Sequence, residues 1–370
     1  MASPCLWISA GEISGDMHGA LLLEALRELN PALRFVGMGG PQLRAAGLEA
    51  FFRVEDLSVM GITEVVRHLP RILGMLSDIK KALEREKPSA LVVIDAPDFH
   101  FRVITAARSL GIPVYYYISP KIWAWRQGRA RFIRDNVRRL ISILPFERDF
   151  YRNFGMEIDY VGNPLVDLIN YPSLASLSSK PGLIGLLPGS RKREVCSLLP
   201  EFAGAARIMR RELPGLSFAC LRAPAMDESL LRSLWPDDLP IRVIEPDERW
   251  TFMRRCTLLL AASGTAVLES AIIGTPTLVA YKVSPLSYSL GKMLVKVPFM
   301  SLPNLILERE VFPEFLQEKC TADALARTAL EWLHPESVCL EGIRKELEKL
   351  RTLLGEPGAA ARAARIILGE

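Results

Sequence analysis

Along most of the chain, short apolar runs alternate with stretches of helical period. The runs at 6–10, 35–40, 90–95, 113–118 and 140–144 carry few polar positions. A run without polar alternation is what a strand buried on both faces requires, so these predict a parallel sheet covered by helices. Between them, Ala20, Leu23, Leu26 and Leu29 give a helical stripe over 17–29, and a second helical period runs over 65–83. Residues 170–180 are rich in Ser, Pro and Leu and have no period, which predicts a linker. A second set follows, with runs at 183–187, 216–221, 241–244, 257–262 and 277–281 and helical stretches at 198–213 and 266–273. Helical spacing returns at 341–350 and 358–368. The expected organisation is α/β, with two Rossmann-like, doubly wound parallel-sheet domains at 1–169 and 180–340. C-terminal helices at 341–370 would pack back on the first domain. Ligands of such sheets bind at the carboxyl ends of the strands, so a cleft between facing domains is the expected site.

The stretch 257–269 places chemistry on this frame. An apolar strand runs into Ser263-Gly264-Thr265, and a helix follows from Ala266. Ser263 or Thr265 is placed to cap that helix. Backbone N–H groups at such a tip form an anion site suited to a diphosphate, and Glu269, one turn on, could accept from a ribose. An ordinary, well-capped βα unit would read the same way. Ser190 and Arg191 follow the first run of the second set, where a guanidinium could clamp a diphosphate; Glu194 could close a capping box there. In the first set, Gly11, Gly15 and Gly19 suit either close substrate approach or close helix packing. Asp95 ends an apolar run, so partial desolvation should raise its pKa toward the range of a general base. Asp98 is placed to cap the next helix.

Composition trims the alternatives. At 370 residues the chain is long enough for two domains, and 49% hydrophobic residues suffice for two buried sheets. A net charge of +4 is too weak to imply nucleic acid but suits anionic ligands or an anionic lipid surface. The six cysteines form no C-x-x-C pair, which fits a reducing compartment. The four histidines show no metal-ligand spacing, so neither a metal nor another cofactor is expected. No signal-peptide pattern and no spanning-length apolar run is present. Val65, Val66, Leu69, Ile72, Leu73 and Leu76 make an apolar stripe flanked by basic residues, either core-facing or a surface that meets lipid. A second such stretch runs over 286–300.

Taken together, the turns resemble one family, the lipid-A-disaccharide synthases, glycosyltransferases of GT-B architecture. The matching segments are 10–16 (AGEISGD), 59–65 (VMGITEV), 94–99 (IDAPDF), 119–125 (SPKIWAW), 144–147 (LPFE), 187–191 (LPGSR), 262–266 (ASGTA) and 301–305 (SLPNL), in the family's order. The resemblance implies transfer of 2,3-diacylglucosamine from UDP to 2,3-diacylglucosamine 1-phosphate, giving a β-1,6-linked disaccharide lipid and UDP. It implies that UDP sits in the second domain and the acceptor in the first. Asp95 matches the family's proposed base, and Glu12, Arg191, Glu269 and Asn304 match positions tied to activity or nucleotide binding. A cytoplasmic protein, peripheral on the inner membrane, is implied too, and a homodimer through exchanged C-terminal segments is left open. Asn163 departs from the family, which more often has His there; the change matters if that position titrates and is tolerated if it only hydrogen-bonds. A UDP-sugar epimerase of similar architecture, or a non-catalytic nucleotide-sugar binder, would share the nucleotide grip.

Overall fold

The computed structural model describes residues 4–58, 65–283, 288, 295 and 297–369, with backbone alone at 13, 57–58 and 65–70. The chain divides into two units: residues 1–164 with 356–370, and residues 165–355.

The first unit holds a seven-stranded sheet in the order β3-β2-β1-β4-β5-β6-β7. Its strands are β1 (Cys5–Ala10), β2 (Arg34–Gly39), β3 (Glu49–Arg53), β4 (Ala90–Ile94), β5 (Val114–Tyr117), β6 (Arg139–Ser142) and β7 (Asp159–Tyr160). All their pairings are parallel. Side chains alternate between two cores. Trp7, Val93 and Tyr116 face one; Ile8, Val92 and Tyr117 face the other, against Leu22 and Leu26 of the Ile13–Leu29 helix. Burial on both faces is why the central runs are apolar without alternation.

The second unit repeats the plan in six strands, ordered β10-β9-β8-β11-β12-β13. These are β8 (Leu183–Leu187), β9 (Ser217–Leu221), β10 (Ile241–Ile244), β11 (Leu258–Ala262), β12 (Thr277–Tyr281) and β13 (Glu314–Leu316). Ile184, Leu186, Leu258 and Leu260 pack against Phe202 and Leu198 of the Lys192–Glu212 helix.

Several expectations need correction. The first helix begins at Ile13, not at 17, and takes Gly15 and Gly19 into its body. A Cβ on Gly19 would lie 2.9 Å from both Ile94 Cδ1 and Leu43 Cδ1, so these glycines serve close packing. Residues 170–180 are not a free linker. They contain the Tyr171–Ala175 helix, whose Leu174 and Ala175 carbonyls accept from Arg254, while the Lys180 N–H donates to the Arg255 carbonyl. The C-terminal block at 341–370 divides. The Cys339–Leu354 helix buries Leu347, Leu350 and Leu354 in the second unit, whereas the Ala359–Leu368 helix buries Ala363, Ala364 and Ile367 in the first unit's core. No helix among the described residues is long and apolar enough to cross a membrane.

Candidate active site

In each sheet the strand order reverses direction between its two central strands, β1 and β4 in the first and β8 and β11 in the second. Connections leave those strands toward opposite sides, which opens a crevice at their carboxyl ends. Of the turns singled out above, 10–16, 94–99, 187–191 and 262–266 follow these four strands, 119–125 follows the neighbouring β5, and 59–64 lie outside the described residues.

In the first unit Ala10 pairs with Ile94, so Gly11 leaves β1 beside Asp95 leaving β4. A Cβ on Gly11 would fall 2.2 Å from Ala96 Cβ; only glycine lets the two turns run side by side. Asp95 and Ala96 have φ of 53° and 46°, a left-handed conformation that costs about 1–2 kcal/mol per non-glycine residue. Hydrogen bonds hold it. The Asp95 carbonyl accepts from His100 Nδ1 at 2.7 Å and from the Tyr116 hydroxyl at 2.9 Å. A carbonyl can only accept, so the His100 proton sits on Nδ1, and Nε2 accepts from the Ser9 hydroxyl at 3.0 Å. His100 is fully buried, which pushes its pKa down to about 4 and keeps the ring neutral. Burial, and then the Asp95 charge, raise the Tyr116 phenol well above its ordinary value. The main chain of Asp95 is thus pinned while its carboxyl stays partly buried. Burial raises that carboxyl's pKa; the Lys121 charge and the Ala96 N–H act in the opposite direction.

Neighbouring residues take other roles. Glu12 is exposed at the head of the Ile13–Leu29 helix, its carbonyl accepting from the Asp16 N–H. Asp98 does not cap the Pro97–Ser109 helix; it lies in the first turn and pairs with Arg126 at 2.8 Å and with Arg129. The buried Asp16 carboxylate caps the Pro41–Ala45 helix instead, accepting from the amides of Gly40, Gln42 and Leu43. Asn163 is buried and donates to the Ile143 carbonyl at 3.2 Å, a hydrogen-bonding role that asparagine can fill.

In the second unit Leu187 pairs with Ala261, which brings the Pro188–Arg191 and Ser263–Thr265 turns together. Glu194 accepts from the Ser190 and Arg191 amides at 3.3 Å each. The Arg191 guanidinium also turns to Glu194, at 3.1 Å, yet its side chain is 83% exposed. At the other turn the Thr265–Ile273 helix starts with no side-chain cap, so the cap expected from Ser263 or Thr265 does not form. Gly264 and Thr265 are exposed, and a Cβ on Gly264 would meet nothing within 4 Å. This helix tip is open, and helix tips attract anions. Glu269 is buried below it, accepting from Trp250 Nε1 at 2.9 Å with Arg249 at 3.5 Å. Arg249 also stacks over the Trp250 ring at 4.4 Å.

Asn304 is fully buried; its Nδ2 donates to the Phe312 carbonyl and Glu314 Oε1, and its Oδ1 accepts from the amides of Val311 and Phe312. All four of its hydrogen-bonding positions are used within the chain, which ties the Leu302–Leu307 helix to β13.

The apolar stripe is described in part. Val65, Val66 and Leu69 fall where only the backbone is described, and most of 286–300 lies outside the described residues. Within the Val65–Glu86 helix, Leu76 packs on the core and Ile79 and Leu83 are buried, whereas Ile72 is half-buried and Leu73 is 50% exposed.

Residues missing from the sequence-based expectations are Ser9, His100, Tyr116, Lys121, Arg249 and Trp250. Each acts on Asp95 or Glu269 through packing between elements, which a linear pattern does not register. The 119–125 segment was the available signal for Lys121.

A family model described as Lipid-A-disaccharide synthetase matches residues 6–366. A lipid-A-disaccharide synthase of Myxococcus xanthus is 40% identical over 99% of this chain and 97% of its own length. Another, from Syntrophus aciditrophicus, is 38% identical over 100% and 98%. Among solved structures, a UDP-GlcNAc 2-epimerase from Neisseria meningitidis bound to UDP-GlcNAc superposes with a TM-score of 0.68 at 12% identity, covering 99% of this chain and 100% of that one. MurG of Acinetobacter baumannii gives 0.62 at 14% identity with the same coverage. At those identities the two structures establish the fold alone, which is that of the GT-B glycosyltransferases and epimerases.

Proposed function

The chain belongs to the lipid-A-disaccharide synthetase family and is a glycosyltransferase of lipid A biosynthesis acting on nucleotide-sugar and lipid substrates; from that premise we propose which residues carry the reaction. The donor is UDP-2,3-diacylglucosamine and the acceptor 2,3-diacylglucosamine 1-phosphate. Asp95 takes the proton from the acceptor's 6-hydroxyl as that oxygen bonds to the donor's anomeric carbon. The bond from that carbon to the UDP oxygen breaks in the same step, so the configuration inverts. Negative charge growing on UDP is met by the open tip at Ser263, Gly264 and Thr265 and by Ser190 and Arg191, with Arg191 swinging from Glu194 to the diphosphate. Glu269 accepts from the ribose. Glu12, exposed one residue beyond the Gly11–Ala96 contact, orients the acceptor.

One observation carries this reading. Asp95 stands at a strand end beside a crevice with its backbone pinned and its carboxyl partly desolvated. A base must be held in place and raised toward working pH, and the pinned backbone and buried carboxyl of Asp95 support that role. Incubation with the two substrates should yield UDP and the disaccharide lipid in equal amounts. Release of UDP without consumption of acceptor, or epimerised donor, would overturn the assignment.

We further place the enzyme on the cytoplasmic face of the inner membrane, in contact through the stripe that includes Ile72 and Leu73. An exposed leucine on a helix flanked by basic residues supports that contact. Leu73→Glu should reduce binding to anionic-lipid vesicles several-fold with the melting temperature unchanged. Undiminished binding would move the contact elsewhere.

A further inference from the structure

Glu147 is a fully buried carboxyl that the proposed mechanism does not use. It begins the Glu147–Arg152 helix after β6. Trp123 Nε1 donates to its Oε1 at 2.9 Å, and the Ser142 hydroxyl donates to its Oε2. Ser119 lies 2.9 Å from the Tyr151 hydroxyl, and its own hydroxyl faces the Pro120 carbonyl at 3.4 Å. Trp123 lies in the short Ile122–Trp125 helix, which Lys121 heads within the loop that follows β5, the strand beside β4. Tyr117 pairs with Ile94, so this loop leaves the sheet next to Asp95. It opens on Ile118 at φ 65°, a left-handed conformation that a β-branched residue adopts only when its surroundings enforce it.

We propose that Glu147 is a positioning residue for the transfer: by holding Trp123 it fixes the loop that presents Lys121 to Asp95. This rests on the reading of Asp95 as the base. Loop geometry then sets how far the ammonium pulls the base toward its ionised form. A free loop would withdraw the charge and leave burial opposed by the Ala96 N–H alone.

The titratable groups around Asp95 are Lys121 on this loop, His100 on the Pro97–Ser109 helix and Tyr116 on β5, with the Asp98–Arg129 pair beyond Tyr116. His100 stays neutral down to about pH 4 and Tyr116 stays protonated, so Lys121 supplies the change. Around Glu147 the titratable neighbours are Tyr151 and Tyr160, both of which burial raises and keeps protonated. Glu147 itself is raised to about 7 by burial.

The test is the pH profile of kcat/KM for the full chain in mixed micelles of its lipid substrates. Lys121→Met should move the acid limb up by about half a unit. Glu147→Ala should move it in the same direction, and the double variant no further than Lys121→Met alone. Trp123→Phe, which deletes the N–H and keeps an aromatic ring packed in place, should give a smaller shift of the same sign. Glu147→Gln keeps an oxygen for the Trp123 N–H and should keep the wild-type limb. If Lys121→Met moves the limb while Glu147→Ala and Trp123→Phe do not, the proposal fails and Asp95 stands as the base. If Glu147→Gln shifts it as far as Glu147→Ala, the carboxyl acts by charge and not through the loop, which also overturns it. An unmoved limb in Lys121→Met removes the tuning of Asp95 and the proposal with it.

Discussion

The ends of β4 and β11 occupy equivalent places in two sheets of the same strand order, yet they are built in opposite ways. At the end of β4 the chain is strained, buried and tied down: two left-handed residues, a carbonyl with two donors and a neutral histidine behind it. At the end of β11 it is relaxed, open and uncapped, on small residues with free space at Gly264. The proposed roles account for the contrast. A base must be desolvated and aimed before the substrate arrives, because its pKa depends on its surroundings. A diphosphate site needs backbone N–H groups at a helix tip that the anion can reach. Strain is spent where a carboxylate is tuned and is absent where a ligand supplies the charge.

The contrast is most open to challenge at Asp95. Asp95→Asn should lower kcat by about 10²–10⁴ while UDP affinity and melting temperature stay near wild type. A variant within a few-fold of wild type would break the assignment of the base to the first unit. The sign of the pH dependence follows from burial. Since the carboxyl is raised, activity should fall as pH drops through a value above that of an ordinary aspartate, near 3.9, and should plateau above it. An acid limb at or below that ordinary value would mean that the carboxyl is fully solvated during turnover.

Arg191→Ala probes the other side and should give the reverse pattern. Its side chain is exposed and pairs with Glu194, so truncation should cost little packing. UDP affinity measured by calorimetry should weaken by about 10–100-fold, the worth of one or two charge-assisted hydrogen bonds. Unchanged affinity would assign the diphosphate to the helix tip alone.

How much of this was legible depends on where a residue's partners lie. The central strands β1, β4, β8 and β11 could be read because burial on both faces leaves an uninterrupted apolar run. β3, β7 and β13 could not: they are edge strands with half-buried residues and no such run. Asp95 stood out as a carboxylate ending an apolar strand. The groups that hold it did not, since Ser9 and His100 are 91 residues apart and nothing local links them. Asn304 was legible as a motif residue, but its partners at 311–314, which use its whole hydrogen-bonding capacity, were not. Gly11 and Gly19 mark close approach correctly, but what approaches is Ala96 in one case and Ile94 with Leu43 in the other.

Trp250 sharpens the comparison with the smallest effect, since it is where the open half is itself braced. Glu269 accepts one indole N–H at 2.9 Å, and Arg249 lies between that carboxylate and the face of the same indole. Trp250→Phe keeps an aromatic face for Arg249 and deletes only the N–H. The buried carboxylate then loses one donor, which is worth about 1 kcal/mol, or about fivefold in affinity. The loss should appear in UDP binding and in KM for the donor, with kcat held, because ribose contacts form alike in the ground state and the transition state. A fall in kcat with KM unchanged would show Glu269 acting on the reacting atoms. Pre-organisation would then be shared by both halves, and the contrast between a built base and an open anion site would narrow to the few residues at the tip itself.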